Sequence, residues 1–150
     1  MALSQSILVP IIVVFAVGVG FAVQAPLNAS LGKQIESGVA AAAISFGVGF
    51  AALLTFTMVL GDGAAFGRAF GVPAIYWTGG LLGAAVVWSM LWAVPTIGIL
   101  TAMVALLLGQ LGAALVLDAL GAFGAPVTPI TWRRVAALVL VAGGLILSRL

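Results

Sequence analysis

Residues 77–121, WTGGLLGAAVVWSMLWAVPTIGILTAMVALLLGQLGAALVLDALG, decide the fold of this chain. Up to Val116 the stretch contains no charged residue. Pro95 divides it into two apolar segments of about 18 and 20 residues, and about 20 helical residues cover the roughly 30 Å hydrocarbon core of a bilayer. Because Pro95 lacks an amide hydrogen and disfavours helical geometry at Val94, we expect the break between the segments there. The stretch therefore predicts a transmembrane hairpin.

The whole chain has the composition of an integral membrane protein. Its 150 residues are 65% hydrophobic and 5% charged, whereas about a quarter of the residues of a soluble domain are charged. The five Lys or Arg and three Asp or Glu are scattered, which argues against a nucleic-acid partner. The chain has no Cys, no His and no paired carboxylates, so we expect no cofactor, no metal site and no enzymatic activity.

Three further apolar segments accompany the hairpin, and the fold class is all-α integral membrane. The five segments predict transmembrane helices at about residues 7–31, 38–60, 75–94, 96–120 and 131–150, in a single transmembrane domain spanning 1–150. The first is expected to be interrupted or bent at Pro26. No Lys or Arg precedes its apolar run, so we interpret it as a membrane helix and not as a cleaved signal peptide.

Positive charges barely distinguish the two sides of this arrangement. Arg68, Arg133 and Arg134 would lie on one side, and Lys33 and Arg149 on the other. Orientation normally follows an excess of Lys and Arg in cytoplasmic loops. One interpretation is dual topology, with an antiparallel homodimer forming the ten-helix inverted-repeat bundle that many transporters contain in one chain. The alternative is a weakly oriented protein with its more basic side in the cytoplasm.

Amides within the segments are candidate substrate ligands. Gln110 lies near the middle of the fourth segment, where an unpaired amide is costly. Gln24 and Asn28 are one helical turn apart, with Pro26 between them, and irregular backbone of this kind is tolerated where it lines a cavity. Ser45 is a smaller candidate. The alternative for each is a structural hydrogen bond, worth about 0.6 kcal/mol between membrane helices.

Two tryptophans of the third segment are candidate cavity walls. Trp88 and Trp92 are one turn apart and share a helix face. A substrate-stacking role is one interpretation, and the alternative is core packing for Trp88 and interface anchoring for Trp92. The predicted substrate-binding residues are Gln24, Asn28, Ser45, Trp88, Trp92 and Gln110.

An acidic residue near the end of the fourth segment predicts a structural ion pair. Asp118 lies close to a helix C-terminus, where an anion is unfavourable. Arg133 and Arg134 lie on the same predicted side of the membrane. We therefore expect Asp118 to pair with one of these arginines, and the alternative is a proton-linked or substrate role.

Short motifs along the whole chain match those of a known family. In the C-terminal half they are the runs 109–111 (GQL), 117–121 (LDALG) and 143–147 (GGLIL), with Gly124, Pro129 and Arg134. Towards the N-terminus they are Gln24, 28–29 (NA), 31–33 (LGK), Ser45, Phe46 and Gly49. With these motifs the chain resembles the short, five-helix YdcZ-type branch of the drug/metabolite transporter (DMT) superfamily. The resemblance implies a half-size transporter of the bacterial cytoplasmic (inner) membrane, whose ten-helix relatives contain two inverted halves. The smallest, four-helix relatives use a glutamate in the first helix as the shared site for protons and substrate. This chain departs from that pattern, because it has no acidic residue before Glu36.

These observations lead to one hypothesis and one alternative. The hypothesis is a transporter that moves a small organic solute by alternating access, in contact with membrane lipid and paired with itself or with a paralogue. Because no acidic residue lies mid-membrane, we expect the solute to be neutral, zwitterionic or weakly amphiphilic. The alternative is a non-transporting membrane subunit or scaffold whose polar residues only fasten helices.

Overall fold

The computed structural model describes the backbone of residues 5–150 and the side chains of residues 8–150. Its helices are α1 (Gln5–Gln34), α2 (Gly38–Val59), α3 (Ala65–Ala69), α4 (Thr78–Ile97), α5 (Ile99–Leu120) and α6 (Trp132–Leu147). Two 3₁₀ helices cover Ala74–Trp77 and Ala122–Gly124. Residues 5–150 contain no β-strand, so the prediction of an all-α fold is confirmed.

Four helical stretches are long and apolar enough to cross a membrane. They are Leu8–Gln34, Gly38–Val59, Ala74–Ile97 and Ile99–Leu120. The last helix, α6, has 16 residues and covers only about 24 Å at about 1.5 Å per residue. By length alone, four of the five predicted spans are therefore supported.

The break between α4 and α5 lies later in the chain than predicted. Helix α4 continues through Pro95 to Ile97, and the chain breaks at Gly98, where φ is 81° and ψ is 162°. This backbone conformation is available essentially to glycine. A proline costs a helix one hydrogen bond, here at the Leu91 carbonyl, but a membrane helix can continue past it. The prediction that Pro95 ends the helix was wrong.

Pro26 does not interrupt the first membrane helix either. Helix α1 is a single element of 30 residues that contains both Pro10 and Pro26. The missing amide hydrogen of Pro26 leaves the carbonyl of Ala22 without its helical donor. The predicted interruption was therefore wrong, and the other form of the prediction, a bend at Pro26, stays a prediction.

The helices form two compact units, one ending at Pro95 and the other beginning at Thr96. In the first unit, α1 packs against α2 through small residues. A Cβ added to Gly32 would lie 3.3 Å from the Cα of Gly38 and 3.6 Å from the Cβ of Ala41. Small residues let membrane helices approach closely because packing drives their association. The prediction of a single transmembrane domain stays a prediction.

In the second unit, α6 lies antiparallel along α5. At one end the Arg134 guanidinium pairs with the Asp118 carboxylate. Near the other end the Ser148 hydroxyl lies 3.4 Å from the Thr101 hydroxyl. The contacts therefore run from the last turn of α5 back to its first turn, over nearly the whole of that helix.

Candidate functional site

One face of α1 lines a small cavity in the first unit. Its residues Phe21, Gln24, Ala25 and Asn28 follow the spacing of one helix face and meet Val87, Met90 and Leu91 of α4. The centre of a water molecule can occupy about 10 Å³ of this cavity, which is room for roughly one water. The cavity thus brings two of the predicted amides, Gln24 and Asn28, to the junction of α1 and α4.

Asn28 is the most deeply placed of the predicted amides. Its side chain is 8% exposed and makes no hydrogen bond to another side chain or backbone group within residues 8–150. No fully buried side-chain nitrogen or oxygen of the described residues lacks a partner, so the polar atoms of the Asn28 amide are not fully buried. Asn28 is therefore poised to bind a polar atom that enters the cavity.

Gln24 also lines a second, larger groove between α1 and α2. The groove offers about 340 Å³ to the centre of a water-sized sphere, a volume in the range of small-molecule sites. At its polar end the Gln24 Nε2 atom donates to the Ser45 Oγ atom over 3.4 Å, longer than the usual 2.7–3.2 Å. Phe46 and Phe50 lie one turn apart along its apolar wall. The groove therefore combines a loosely held hydrogen-bonding pair with two aromatic rings.

The remaining predicted substrate residues line neither cavity. Trp88 is 55% exposed and Trp92 is 74% exposed on α4, where Val87, Met90 and Leu91 face α1 instead. Gln110 is exposed on α5. Their predicted roles in binding stay predictions.

The Asp118 carboxylate pairs with Arg134 and not with Arg133. The Arg134 guanidinium also donates to the Thr128 carbonyl at 3.3 Å, and the Thr128 amide donates to the Asp118 carbonyl at 2.9 Å. Arg133 is exposed and lies over the ring of Trp132, with its guanidinium carbon 5.9 Å from the ring centroid. Consecutive helical residues point about 100° apart, so only one of the two arginines can face α5.

The turn after α5 is shaped to hold this ion pair. Gly121 ends the helix with φ at 59°, and a Cβ there would lie 2.7 Å from Val127 Cγ2. A side chain at this position would be both strained and obstructed. The tight turn brings Thr128 back beside Asp118, so the loop, α5 and α6 meet at one point.

Sequence reasoning missed the aromatic wall of the groove. Phe46 and Phe50 are four residues apart and therefore lie on one face of α2. Ser45 and Gly49 have the same spacing, one position earlier. That spacing was the signal that could have identified the wall. It was not distinctive because bulky apolar residues are frequent throughout a membrane helix.

The chemistry available in the two cavities is hydrogen bonding and apolar contact. No Asp, Glu, Lys or Arg lines either of them. Among the described residues, no group of three or more His, Cys, Asp or Glu is placed to hold a metal ion. The site is thus suited to reversible binding of an uncharged part of a small molecule.

Comparisons with known proteins identify the family of the chain. The sequence model of one family, described as "Putative inner membrane exporter, YdcZ", matches residues 9–147. No curated protein matches the chain, and no solved structure matches it. The family match covers α1 from Val9 onwards, all of α2 to α6 and the residues of both cavities. The resemblance to the YdcZ-type branch is confirmed, and the chain belongs to this family of inner-membrane proteins.

Proposed function

We propose that the chain is a half-size transporter that moves a small organic solute across the bacterial inner membrane by alternating access. The family description of an exporter supports transport in general terms. The observation that carries the proposal is the groove in which Gln24 and Ser45 face Phe46 and Phe50. A structural pair between membrane helices does not need such an open, aromatic-walled space beside it.

The groove favours a neutral, zwitterionic or weakly amphiphilic solute. The Gln24 amide and the Ser45 hydroxyl each donate and accept hydrogen bonds, and their mutual bond at 3.4 Å is readily exchanged for bonds to a ligand. The phenyl rings of Phe46 and Phe50 suit an aromatic or aliphatic body. No carboxylate lines the groove, so a strongly cationic solute would lack a counter-ion there.

The working unit in this proposal is an antiparallel homodimer, or a pair with a paralogue, containing ten membrane helices. Helix α6 is short, but its contacts follow α5 from end to end, which supports its lying at the depth of the membrane as a fifth span. Trp132, Arg133 and Arg149 at its ends can reach the interface and compensate for the missing length. The exposed Trp88, Trp92 and Gln110 would then face the central cavity that two copies enclose.

The alternative is a membrane subunit that transports nothing. The same Gln24–Ser45 bond supports it, because this bond joins α1 to α2. If the bond only holds α1 to α2, removing the Gln24 amide or the Ser45 hydroxyl should change the stability of the protein and leave the solute concentration in cells unchanged.

Accumulation of labelled chloramphenicol, an uncharged aromatic amide, tests the proposal. In cells that lack other efflux pumps, the chain should lower accumulation at least about twofold, and Gln24→Ala should restore it. Leu140→Ala is the matched control, since Leu140 is 76% exposed on α6 and lines neither cavity. If the wild-type chain leaves accumulation unchanged, the proposed solute class is wrong. If Gln24→Ala still lowers accumulation fully, the groove is not the site.

A further inference from the structure

A third opening lies where α1 ends and α2 begins. Lys33, Glu36 and Ser37 border it on one side, and Leu91 and Pro95 of α4 border it on the other. It offers about 290 Å³ to the centre of a water-sized sphere. We call this opening the Lys33–Glu36 crevice. It belongs to the first unit and lies at the end of two membrane-spanning helices, so it is expected at the boundary between lipid and water.

The crevice contains two opposite charges that are not paired with each other. Within residues 8–150, the other two acidic side chains form ion pairs, Asp62 with Arg68 and Asp118 with Arg134. Neither Lys33 nor Glu36 takes part in an ion pair with a described residue. The Lys33 ammonium and the Glu36 carboxylate border one crevice and do not pair with each other. Together they are complementary to a ligand that carries one negative and one positive charge.

The backbone holds Glu36 where a glutamate is unfavourable. Glu36 has φ at 56°, and the Ser37 amide donates to the Gly32 carbonyl at 2.9 Å while the Glu36 amide donates to the Lys33 carbonyl at 3.4 Å. This is the Schellman turn, in which the left-handed position is usually glycine. The turn alone therefore does not explain why a glutamate occupies this position. Backbone strain of this kind is often found at functional sites.

The crevice shares one lining residue with the cavity that Asn28 lines. Leu91 lines both the crevice and the Asn28 cavity. Its carbonyl lacks a helical donor because Pro95 follows four residues later. Asn28 is 8% exposed and lacks a protein partner among the described residues. A polar ligand in the crevice thus has further hydrogen-bonding groups along the same side of α1 and α4.

We propose that the Lys33–Glu36 crevice binds a small zwitterion, with its ammonium group against Glu36 and its anionic oxygens against Lys33. The ligand class is a primary amine joined to a carboxylate or phosphate by a short linker. Two sources share this chemistry: a free amino acid and the phosphoethanolamine headgroup of a membrane lipid. The site goes beyond the proposed transport function, because binding can be measured whether or not the chain transports anything.

Binding to the purified full chain in uncharged maltoside micelles tests this site. The zwitterionic probes are β-alanine and glycerophosphoethanolamine. The controls, ethanolamine and glycerol 3-phosphate, each carry charge of one sign only. Calorimetry should show at least one zwitterion binding about tenfold or more tightly than both of these controls. Equal affinity for all four probes, or no binding by either zwitterion, would overturn the proposal.

Substitutions at the turn separate binding from folding. Glu36→Gly and Glu36→Asn remove the charge and tolerate the left-handed backbone, so the thermal midpoint should not fall while zwitterion affinity drops at least about tenfold. Lys33→Gln should weaken binding similarly. Asp62→Asn, which removes a carboxylate from another loop, is the control and should bind like the wild type. Unchanged affinity in Glu36→Gly contradicts the site even if transport is intact.

The two probes also identify the source of the ligand. Binding of glycerophosphoethanolamine alone assigns the crevice to a lipid headgroup, and nanodiscs with phosphatidylethanolamine should then retain that lipid on the wild type but not on Glu36→Gly. Binding of β-alanine as well assigns it to a free solute. Both results support the site.

Discussion

The two units of the chain join pairs of antiparallel helices in different ways. In the second unit, polar contacts lie at the helix ends: Asp118 pairs with Arg134 at one end, and Ser148 lies beside Thr101 at the other. In the first unit, Gln24 lies well inside α1 and its groove remains open. In the second unit, polar groups at the helix ends therefore hold α5 to α6. In the first unit, Gln24 lies beside an open groove, and Lys33 and Glu36 at the end of α1 form no ion pair with a described residue.

The largest expected effect depends on whether α6 of the second unit crosses the membrane. If α6 crosses the membrane, the charges nearly balance and we expect dual insertion, with cytoplasmic and external reporters at the C-terminus and in loop 61–73 each active in part of the population. If α6 does not cross, Arg68, Arg133, Arg134 and Arg149 share one side and only Lys33 faces them. The positive-inside rule then gives a single orientation. Reporters that each show one location only would contradict the self-made inverted pair.

Gly32→Leu should separate α1 from α2. A side chain there would press against the Gly38 backbone, and overpacking of this kind costs about 1–3 kcal/mol. The variant should unfold at a clearly lower temperature in detergent than Gly20→Leu, the matched control. Gly20 lies in the same helix, and a Cβ there would meet nothing within 4 Å. Equal thermal midpoints for the two variants would show that α1 and α2 do not pack as described.

Arg134→Ala should weaken the second unit more than Arg133→Ala. The Arg134 variant loses both the ion pair with Asp118 and the hydrogen bond to the Thr128 carbonyl, whereas the Arg133 guanidinium lies over the ring of Trp132. Because the pair is partly exposed, we expect a loss of roughly 1 kcal/mol in unfolding free energy, screened further by salt. Thermal unfolding at low and high salt measures it. A larger loss in Arg133→Ala would reverse the assignment of the pair.

Ser45→Ala should have the smallest effect on stability. Its bond with Gln24 is long and connects membrane helices, where such bonds are worth about 0.6 kcal/mol. The transport proposal therefore predicts an unfolding midpoint close to that of the wild type together with a loss of chloramphenicol efflux. The scaffold alternative predicts the reverse, a lower midpoint with unchanged solute levels, so measuring both on one variant separates the two functions.

The sequence identified several residues of the candidate site, but it did not show which of them lie together. The rarity of polar residues in apolar segments identified Gln24, Asn28 and Ser45, which line the cavities of the first unit. The same rule selected Gln110, and one-turn spacing selected Trp88 and Trp92, but none of these three residues lines either cavity. Rarity shows that a residue is unusual in lipid, whereas cavity lining depends on the direction in which the side chain points.

The sequence by itself determined the membrane class and the family, and it predicted five helical spans, of which four are long and apolar enough to cross a membrane. Hydropathy needs no knowledge of neighbouring helices, because it adds up locally over about 20 residues. Only the tertiary structure decided that Arg134 and not Arg133 faces Asp118, and that Lys33 and Glu36 border one crevice unpaired. It also showed that the α4–α5 break is at Gly98. These outcomes depend on which helix faces meet and on the backbone angles of single residues. Neither can be obtained by averaging a property over a stretch of sequence.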